Sequence, residues 1–505
     1  MAKFKLYDQS QDFMLPPSLN DMIDKTHPVR TVNQIIDKID IREIEKNYTG
    51  GGASSYSPRM MLKLLVYAYM NNVYSSRRIE LLAKENIHYM WLSAMQKPDH
   101  NTINRFRTNR LAKGFKDVFS KVVLMFHKAG MLDIKEIYTD GTKLEANANK
   151  YSFVWGKSIQ TRKEKIFEQI NELWDYAAKV SEKELTDLRP HTYEEVSSER
   201  VIETIEAINQ AIGKKKIDKK VRSKISRVKK AWPTQLRKYE SSEKLLGGRN
   251  SYSTTDPGST FMRMKDDHMQ NGQLKPGYNW QISTNNQMIV NYSIHQTAGD
   301  TTTLIDHIEG YHNLYKMYPQ ALTADAGYGS HENYKYAEEN DIQAFVKYNY
   351  FHKEQKRKWQ QDISKSDNLY YNKEENCFYC PIGQQMDKIG ERTTTSANGY
   401  KQTLSIYRAK NCIGCPMRCS CHKSSGNRTI EVNLEAKRLR EKARDLLMTP
   451  EGIAKRRRRS IEPETVFGNI KHNKQFKRFL LRGKEKVEIE VGLLSLAHNI
   501  SKFVA

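Results

Sequence analysis

Apolar positions over the first 130 residues return at helical spacing. Met61, Leu62, Leu65, Val66 and Tyr69 form one stripe behind Ser57-Pro58, a residue fit to cap a helix followed by one fit to begin it. Ser75 and Ser76 can cap a second helix carrying Ile79, Leu82 and Ala83, and Pro98-Asp99 breaks the chain before Ile103 to Arg107. The pattern changes near Lys135. Ile137-Tyr138-Thr139 is a short β-prone run that stops at Asp140-Gly141. Residues 278–283 and 288–294 alternate as two strands, with Thr284-Asn285-Asn286 as the turn between them. Thr301 to Tyr315 reads as a helix, Ala321 to Ala324 as a strand ending at Asp325, and Ile342 to Val346 as a further strand. Strand, hairpin, helix, strand, helix, strand predicts a mixed α/β sheet.

Two segments interrupt that order. Residues 157–249 are charged and helical in pattern, and 350–430 hold all six cysteines. The predicted layout is a helical N-terminal domain for DNA binding or dimerisation (1–130), a core in two parts (131–156 and 250–349), a charged helical insert (157–249), a Cys-rich insert (350–430) and a basic helical segment (431–505) that completes the core. Within the first insert, Lys214 to Lys230 is densely basic; such a run either tracks phosphates or forms a solvated helix face.

Composition narrows the function. The 505 residues are long enough for several domains, and 38% hydrophobic content excludes wholesale disorder. Lys and Arg number 83 against 59 Asp and Glu, a net charge of +24 that points to a polyanionic partner, most simply nucleic acid. The most apolar early stretch, Met60 to Met70, is half a membrane span and contains Lys63. Residues 1–8 lack the apolar centre of an export signal. Cysteines confined to one short region point to a local metal site in a reducing cytoplasm, not to a disulfide framework.

The candidate chemistry lies in three acids. Asp140 and Asp325 each end a predicted strand, at the sheet edge where sites form. Glu464 lies in Ile461-Glu-Pro-Glu-Thr-Val-Phe-Gly-Asn-Ile-Lys471, where helical spacing puts Lys471 on the same face as the acid, with Phe467 and Ile470 as anchors. Glu462, two residues upstream, is the other candidate. Three acids from separate segments can hold two divalent cations for phosphodiester chemistry, and Lys471 could then hold a phosphate. Asp256, in Asp-Pro-Gly, reads first as a turn residue, and Glu145 as a local salt-bridge partner.

These blocks, in order, resemble the DDE transposases of bacterial insertion sequences, specifically insertion-sequence family 1182. The resemblance runs through Ser57 to Tyr69, Tyr74 to Arg77, Trp91-Leu92, Pro98 to Arg107, Asp140 to Lys150, Thr255-Asp256-Pro257, Gly277-Tyr278-Asn279, Ala324-Asp-Ala-Gly-Tyr-Gly329, Arg459 to Lys471, Arg478-Phe479, Arg482-Gly483 and Ala497-His-Asn499. It implies an RNase H-like catalytic core, with Asp140, Asp325 and Glu464 as the catalytic acids and Lys471 as a phosphate-holding cation. It also implies Mg²⁺ (or Mn²⁺, two ions), binding to the element's terminal inverted repeats and to target DNA, DNA cleavage and strand transfer. Other readings are a metal-dependent nuclease on the same fold and a non-catalytic DNA-binding relative. A multimer on DNA, a homodimer or larger, is expected, in the cytoplasm on the nucleoid. The signature Tyr-two-Arg-three-Glu-six-Lys is only half present: Glu464 and Lys471 fit, but Ser460 and Arg457 stand where Arg and Tyr are expected.

Two knuckles, Cys377-x-x-Cys380 and Cys412-x-x-Cys415, followed by Cys419, Cys421 and His422, suit structural Zn²⁺. Spacing alone selects Cys377, Cys380, Cys412 and Cys415. The resemblance selects Cys380, Cys412, Cys415 and Cys421. For DNA contacts the basic candidates are Arg105 and Arg107 in the N-terminal helices, Arg456, Arg457, Arg458 and Arg459 before Glu464, and Arg478 and Arg482 beyond it.

Overall fold

A computed structural model describes residues 18–48, 55–181, 188–213, 217–264, 272–396 and 399–504. The opening residues, and Lys214, Lys215 and Lys216 of the basic run, lie outside them. At the centre is a mixed sheet of β1 (Glu136–Glu145), β2 (Leu274–Asn285), β3 (Met288–His295), β4 (Ala321–Ala324) and β5 (Gln343–Val346), in the spatial order β3-β2-β1-β4-β5. The β1 strand runs parallel to β4, β4 parallel to β5, and β2 antiparallel to both β1 and β3. The short strand Thr260–Arg263 extends the sheet beside the first part of β2.

Two local expectations are corrected here. The β2–β3 turn is made by Asn286 and Gln287, whose φ values of 51° and 60° give the backbone twist a two-residue hairpin needs. The strand β1 does not stop at Asp140-Gly141 but pairs with β2 as far as Glu145 opposite Gly277. Gly141 serves packing, not a turn: a Cβ there would sit 2.8 Å from Asp300 Oδ1 and closer still to Gln281 Nε2.

Helices used below are α1 (Pro58–Met70), α2 (Gly156–Val180), α3 (Ser198–Ile212), α4 (Lys219–Leu246), α5 (Leu304–Tyr315), α6 (Pro450–Arg458), α7 (Pro463–Gly468) and α8 (Lys484–Val504). The α8 sequence is apolar nearly all round, and residues from Val487 to Ile500 are mostly buried, as expected of a helix enclosed by protein. It packs on β3 and α1, so the N-terminal helices and the sheet share one continuous hydrophobic core. It also closes the sheet edge: Asn499 accepts from the Ile289 amide at 2.7 Å and donates to the Ile289 carbonyl at 2.7 Å.

The first insert is a bundle of α2, α3 and α4 with its own core around Ile170, Trp174, Ile205, Ile208, Trp232 and Leu236. A two-stranded ribbon, Phe153–Trp155 with Ser251–Ser253, joins it to the sheet. The Cys-rich region contains a five-stranded antiparallel sheet, from Tyr371–Asn372 to Thr429–Val432, packed on Phe378, Met386, Tyr407 and Ile430.

Candidate active site

The parallel pairing of β1 and β4 ends with Thr139 opposite Ala324, and the next residue on each strand is Asp140 or Asp325. The two carboxylates therefore leave neighbouring strands side by side, on the same face, where the parallel ladder stops. Asp325 directly precedes the short 3₁₀ turn Ala326–Tyr328. Lys347, one residue past β5, reaches Asp325 at 3.4 Å. Burial pushes the Asp325 carboxyl up, but the Ala326 amide, Arg459 and Lys347 outweigh it and hold the group below its ordinary range.

The third acid arrives on α7, which packs on β1 and β2, with Phe467 set edge-on against Trp280 at 5.5 Å between ring centres. Pro463 sits at the first helical position and Glu464 in the first turn. The two glutamates have different environments. Glu462 is buried, accepts from the Gln287 amide at 2.8 Å and from Arg458 at 3.0 Å, and so ties α7 to the β2–β3 turn. Glu464 exposes 50% of its side chain and meets Arg459 at 3.1 Å. Arg459, itself 14% exposed, thus lies against Glu464 and within electrostatic range of Asp325. Among the described residues, no three His, Cys, Asp or Glu side chains converge closely enough to hold a metal ion. The donor set still fits Mg²⁺ in kind: carboxylate oxygens only, leaving positions for water and substrate phosphate.

Sequence reasoning missed the support behind this edge. Asp300, just before α5, accepts from Asn279 Nδ2 at 2.8 Å and Gln281 Nε2 at 2.9 Å. Tyr328 donates to the other end of the same Gln281 amide, and Thr301 donates to the Gly327 carbonyl at 2.7 Å. The network braces Asp140-Gly141 from the opposite face of the sheet and ties it to the turn that follows Asp325. The available signal was an acid directly before a predicted helix, in Gly299-Asp300-Thr-Thr-Thr303.

Residues 379–504 match the model of the Transposase DDE domain family, and residues 17–109 match that of the Transposase domain (DUF772). The chain is a transposase. No curated protein and no solved structure matches it. A DDE domain implies DNA cleavage and strand transfer, and such domains use divalent metal ions. The DDE match contains Glu464 and the Cys-rich sheet from Tyr379 onward; Asp140 and Asp325 lie upstream of it.

Several further residues of the transposase stand otherwise than expected. Lys471 does not share the exposure of Glu464: the helix widens into a π turn over Asn469–Asn473, which breaks the seven-residue return, and Lys471 is 7% exposed. Arg107 is 3% exposed inside the N-terminal core, donating to Tyr69, to the Tyr74 carbonyl and to Asn104 at 2.8–3.1 Å, with buried Glu490 near. It is a packing residue with no face toward DNA. Arg105 and Arg457 are exposed. Arg456 lies over the Phe351 ring, and Arg458 binds Glu462 and Asn286. Arg478 and Arg482 are exposed but also hold the chain after β1, donating to the carbonyls of Ala146, Ala148 and Asn147. Asp256 is fully buried and accepts from Tyr278, Gly258 and Gly483, which makes it an anchor for the start of α8. Glu145 pairs with Lys275.

All six cysteines are free thiols. Cys380, Cys412, Cys415 and Cys421 line one cavity of about 20 Å³ with His422 and Arg428. Amides donate to two of the sulfurs, Gln384 to Cys380 and Arg428 to Cys412, each at 3.3 Å, and the Arg428 guanidinium reaches Cys421 at 2.8 Å. His422 Nε2 is buried there without a hydrogen-bond partner. Cys377 instead faces Glu375 at 3.5 Å, and Cys419 is exposed. No helix among the described residues is long and apolar enough to cross a membrane.

Proposed function

We propose that this transposase mobilises an insertion sequence resembling family 1182: it binds the element's terminal inverted repeats as a homodimer or larger multimer, cuts there, and joins the freed 3′-hydroxyl to target DNA. The observation that carries the reading is the side-by-side exit of Asp140 and Asp325 from parallel strands, with Arg459 lying against Glu464 and within electrostatic range of Asp325. The strand order β3-β2-β1-β4-β5 supports an RNase H-like core.

Asp140, Asp325 and Glu464 would hold Mg²⁺ or Mn²⁺, two ions. When bound, such ions supply an activated water or 3′-hydroxyl and charge stabilisation at the leaving oxygen. Lys347 pairs with the Asp325 carboxylate and Arg459 with that of Glu464, so cationic side chains already lie where a substrate phosphate would approach. Exposed Arg105, Arg457, Arg478 and Arg482 supply phosphate contacts, which set register without reading sequence. Cys380, Cys412, Cys415 and Cys421 would hold a structural Zn²⁺ that fixes the Cys-rich sheet; the amide-to-sulfur hydrogen bonds and the shared cavity support that set over the one containing Cys377.

The test pairs the purified protein with a plasmid carrying the gene's own flanking DNA and Mg²⁺, and maps cut ends and joined products. Cuts at the element's ends with joined products, both lost in Asp325→Asn, are expected. Cutting without joining would make the protein a nuclease, and binding without cutting a non-catalytic relative.

A further inference from the structure

The 157–249 insert lies outside the strands that carry the acids, and its charge is sorted by helix. Between Lys219 and Tyr239, α4 has nine Lys and Arg and no Asp or Glu. Its neighbour α3 is net acidic, with Glu199, Glu203 and Glu206 against Arg200, and α2 mixes Glu164, Glu168, Glu172 and Asp175 with its cations. A merely solvated helix is served by mixed signs at i,i+4, as on α2. Like charges at that spacing, as in Lys220 with Lys224, work against the helix.

Packing fixes where the cations point. Ile225, Val228, Trp232 and Leu236 are buried in the bundle core, while Lys219, Lys220, Arg227, Lys230, Arg237 and Lys238 are exposed. Ser223, Ser226 and Thr234 are exposed among them, adding short hydroxyl donors. At ~1.5 Å per residue, positions 219–238 cover roughly 28 Å, most of one turn of duplex. From these observations we infer that the exposed face of α4 is a track for the phosphate backbone of duplex DNA, read without regard to sequence. The inference rests on DNA being the transposase's substrate, and it gives the insert a task separate from cleavage: holding DNA outside the catalytic edge.

The experiment uses the full chain and a quadruple variant, Lys220→Ala, Arg227→Ala, Lys230→Ala and Arg237→Ala. Affinity for a duplex without the element's ends is measured from about 50 to about 200 mM salt. Each phosphate contact contributes about 0.9 to the slope of log affinity against log salt, so the slope should become shallower by about 3 to 4. Affinity at the low-salt end should fall by about tenfold or more. Circular dichroism and the melting temperature monitor folding, and the charge-preserving pair Arg227→Lys and Arg237→Lys should keep the wild-type slope. An unchanged slope in the folded variant overturns the inference. So does loss of binding to single-stranded RNA or an acidic protein with duplex binding intact. Metal-dependent cutting, with Asp325→Asn as control, is scored separately: its absence counts against the cleavage reading, while the salt slope alone decides the role of α4.

Discussion

Replacing Gly141 with Ala is the sharpest probe of the site's architecture. Gly141 is locked opposite Gln281 in the β1–β2 ladder, so the backbone cannot move away from a new methyl group. That methyl would stand 2.8 Å from Asp300 Oδ1 and closer to Gln281 Nε2, in the space where those two groups hydrogen-bond at 2.9 Å. Overpacking costs about 1–3 kcal/mol, and displacing a buried hydrogen bond to a charged group adds about 1.5–3 kcal/mol. The expected loss is about 2.5–6 kcal/mol, read as a lowered melting temperature together with slower cutting, because Asp140 is the preceding residue. Adding Gln281→Ala clears the space and should recover part of the stability lost in Gly141→Ala, a negative value of the double-mutant coupling. If Asp-Gly were instead a turn needing glycine's backbone freedom, removing the Gln281 side chain could not help. Gly141→Ala melting within a degree or so of wild type would refute the packing argument outright.

Three further outcomes follow from the same geometry. Asp300→Ala leaves the buried amides of Asn279 and Gln281 short of an acceptor and should destabilise by about 2–4 kcal/mol and slow cutting, with Asp300→Asn milder; equal effects of the two variants on melting and rate would show that the carboxylate is not what braces the edge. Metal analysis should find one Zn²⁺ per chain, lost in Cys380→Ser and Cys421→Ser but retained in Cys377→Ser; retention in Cys421→Ser with loss in Cys377→Ser would restore the set chosen by spacing. Burial holds His498 down to about 4 while it donates to the Gln287 carbonyl. The unfolded chain takes up that proton near 6.5, so stability from the neutral His498 is full above about 6.5 and is lost as pH falls toward about 4. His498→Gln should flatten melting temperature against pH across that window; a variant as steep as wild type would remove His498 as a source of the slope.

Much of the fold was legible because it depends on local pattern. The alternating hairpin, the strand before Asp325 and the helix after Ser57-Pro58 each follow from periodicity and capping within a few residues. The errors share a different cause: each depended on what a distant segment brings to the same place. Asp-Gly reads as a turn until Gln281 and Asp300 are known to fill the space above it. Arg107 reads as a DNA contact until Tyr69 and Glu490 enclose it. Seven-residue spacing gives Lys471 the exposure of Glu464 only if the helix is regular, and within the π turn Lys471 is buried while Glu464 is half exposed. Spacing to Lys471 favours Glu464 over Glu462 in the sequence, but that Glu462 is a buried tie to the β2–β3 turn is seen only when that turn reaches it.

The position of α8 has a consequence for biosynthesis. The helix lies between β3 and α1, yet it follows both in the chain, as does Glu464. On the ribosome, the hairpin and the N-terminal helices therefore emerge with the surfaces that α8 covers still bare, including the Ile289 edge that Asn499 closes. A nascent chain that has made every strand of the central sheet lacks both Glu464 and the helix on which the N-terminal helices and the sheet pack. The order of synthesis thus withholds α8 until shortly before the fold can close, so a prematurely terminated product would carry an exposed strand edge and an open core.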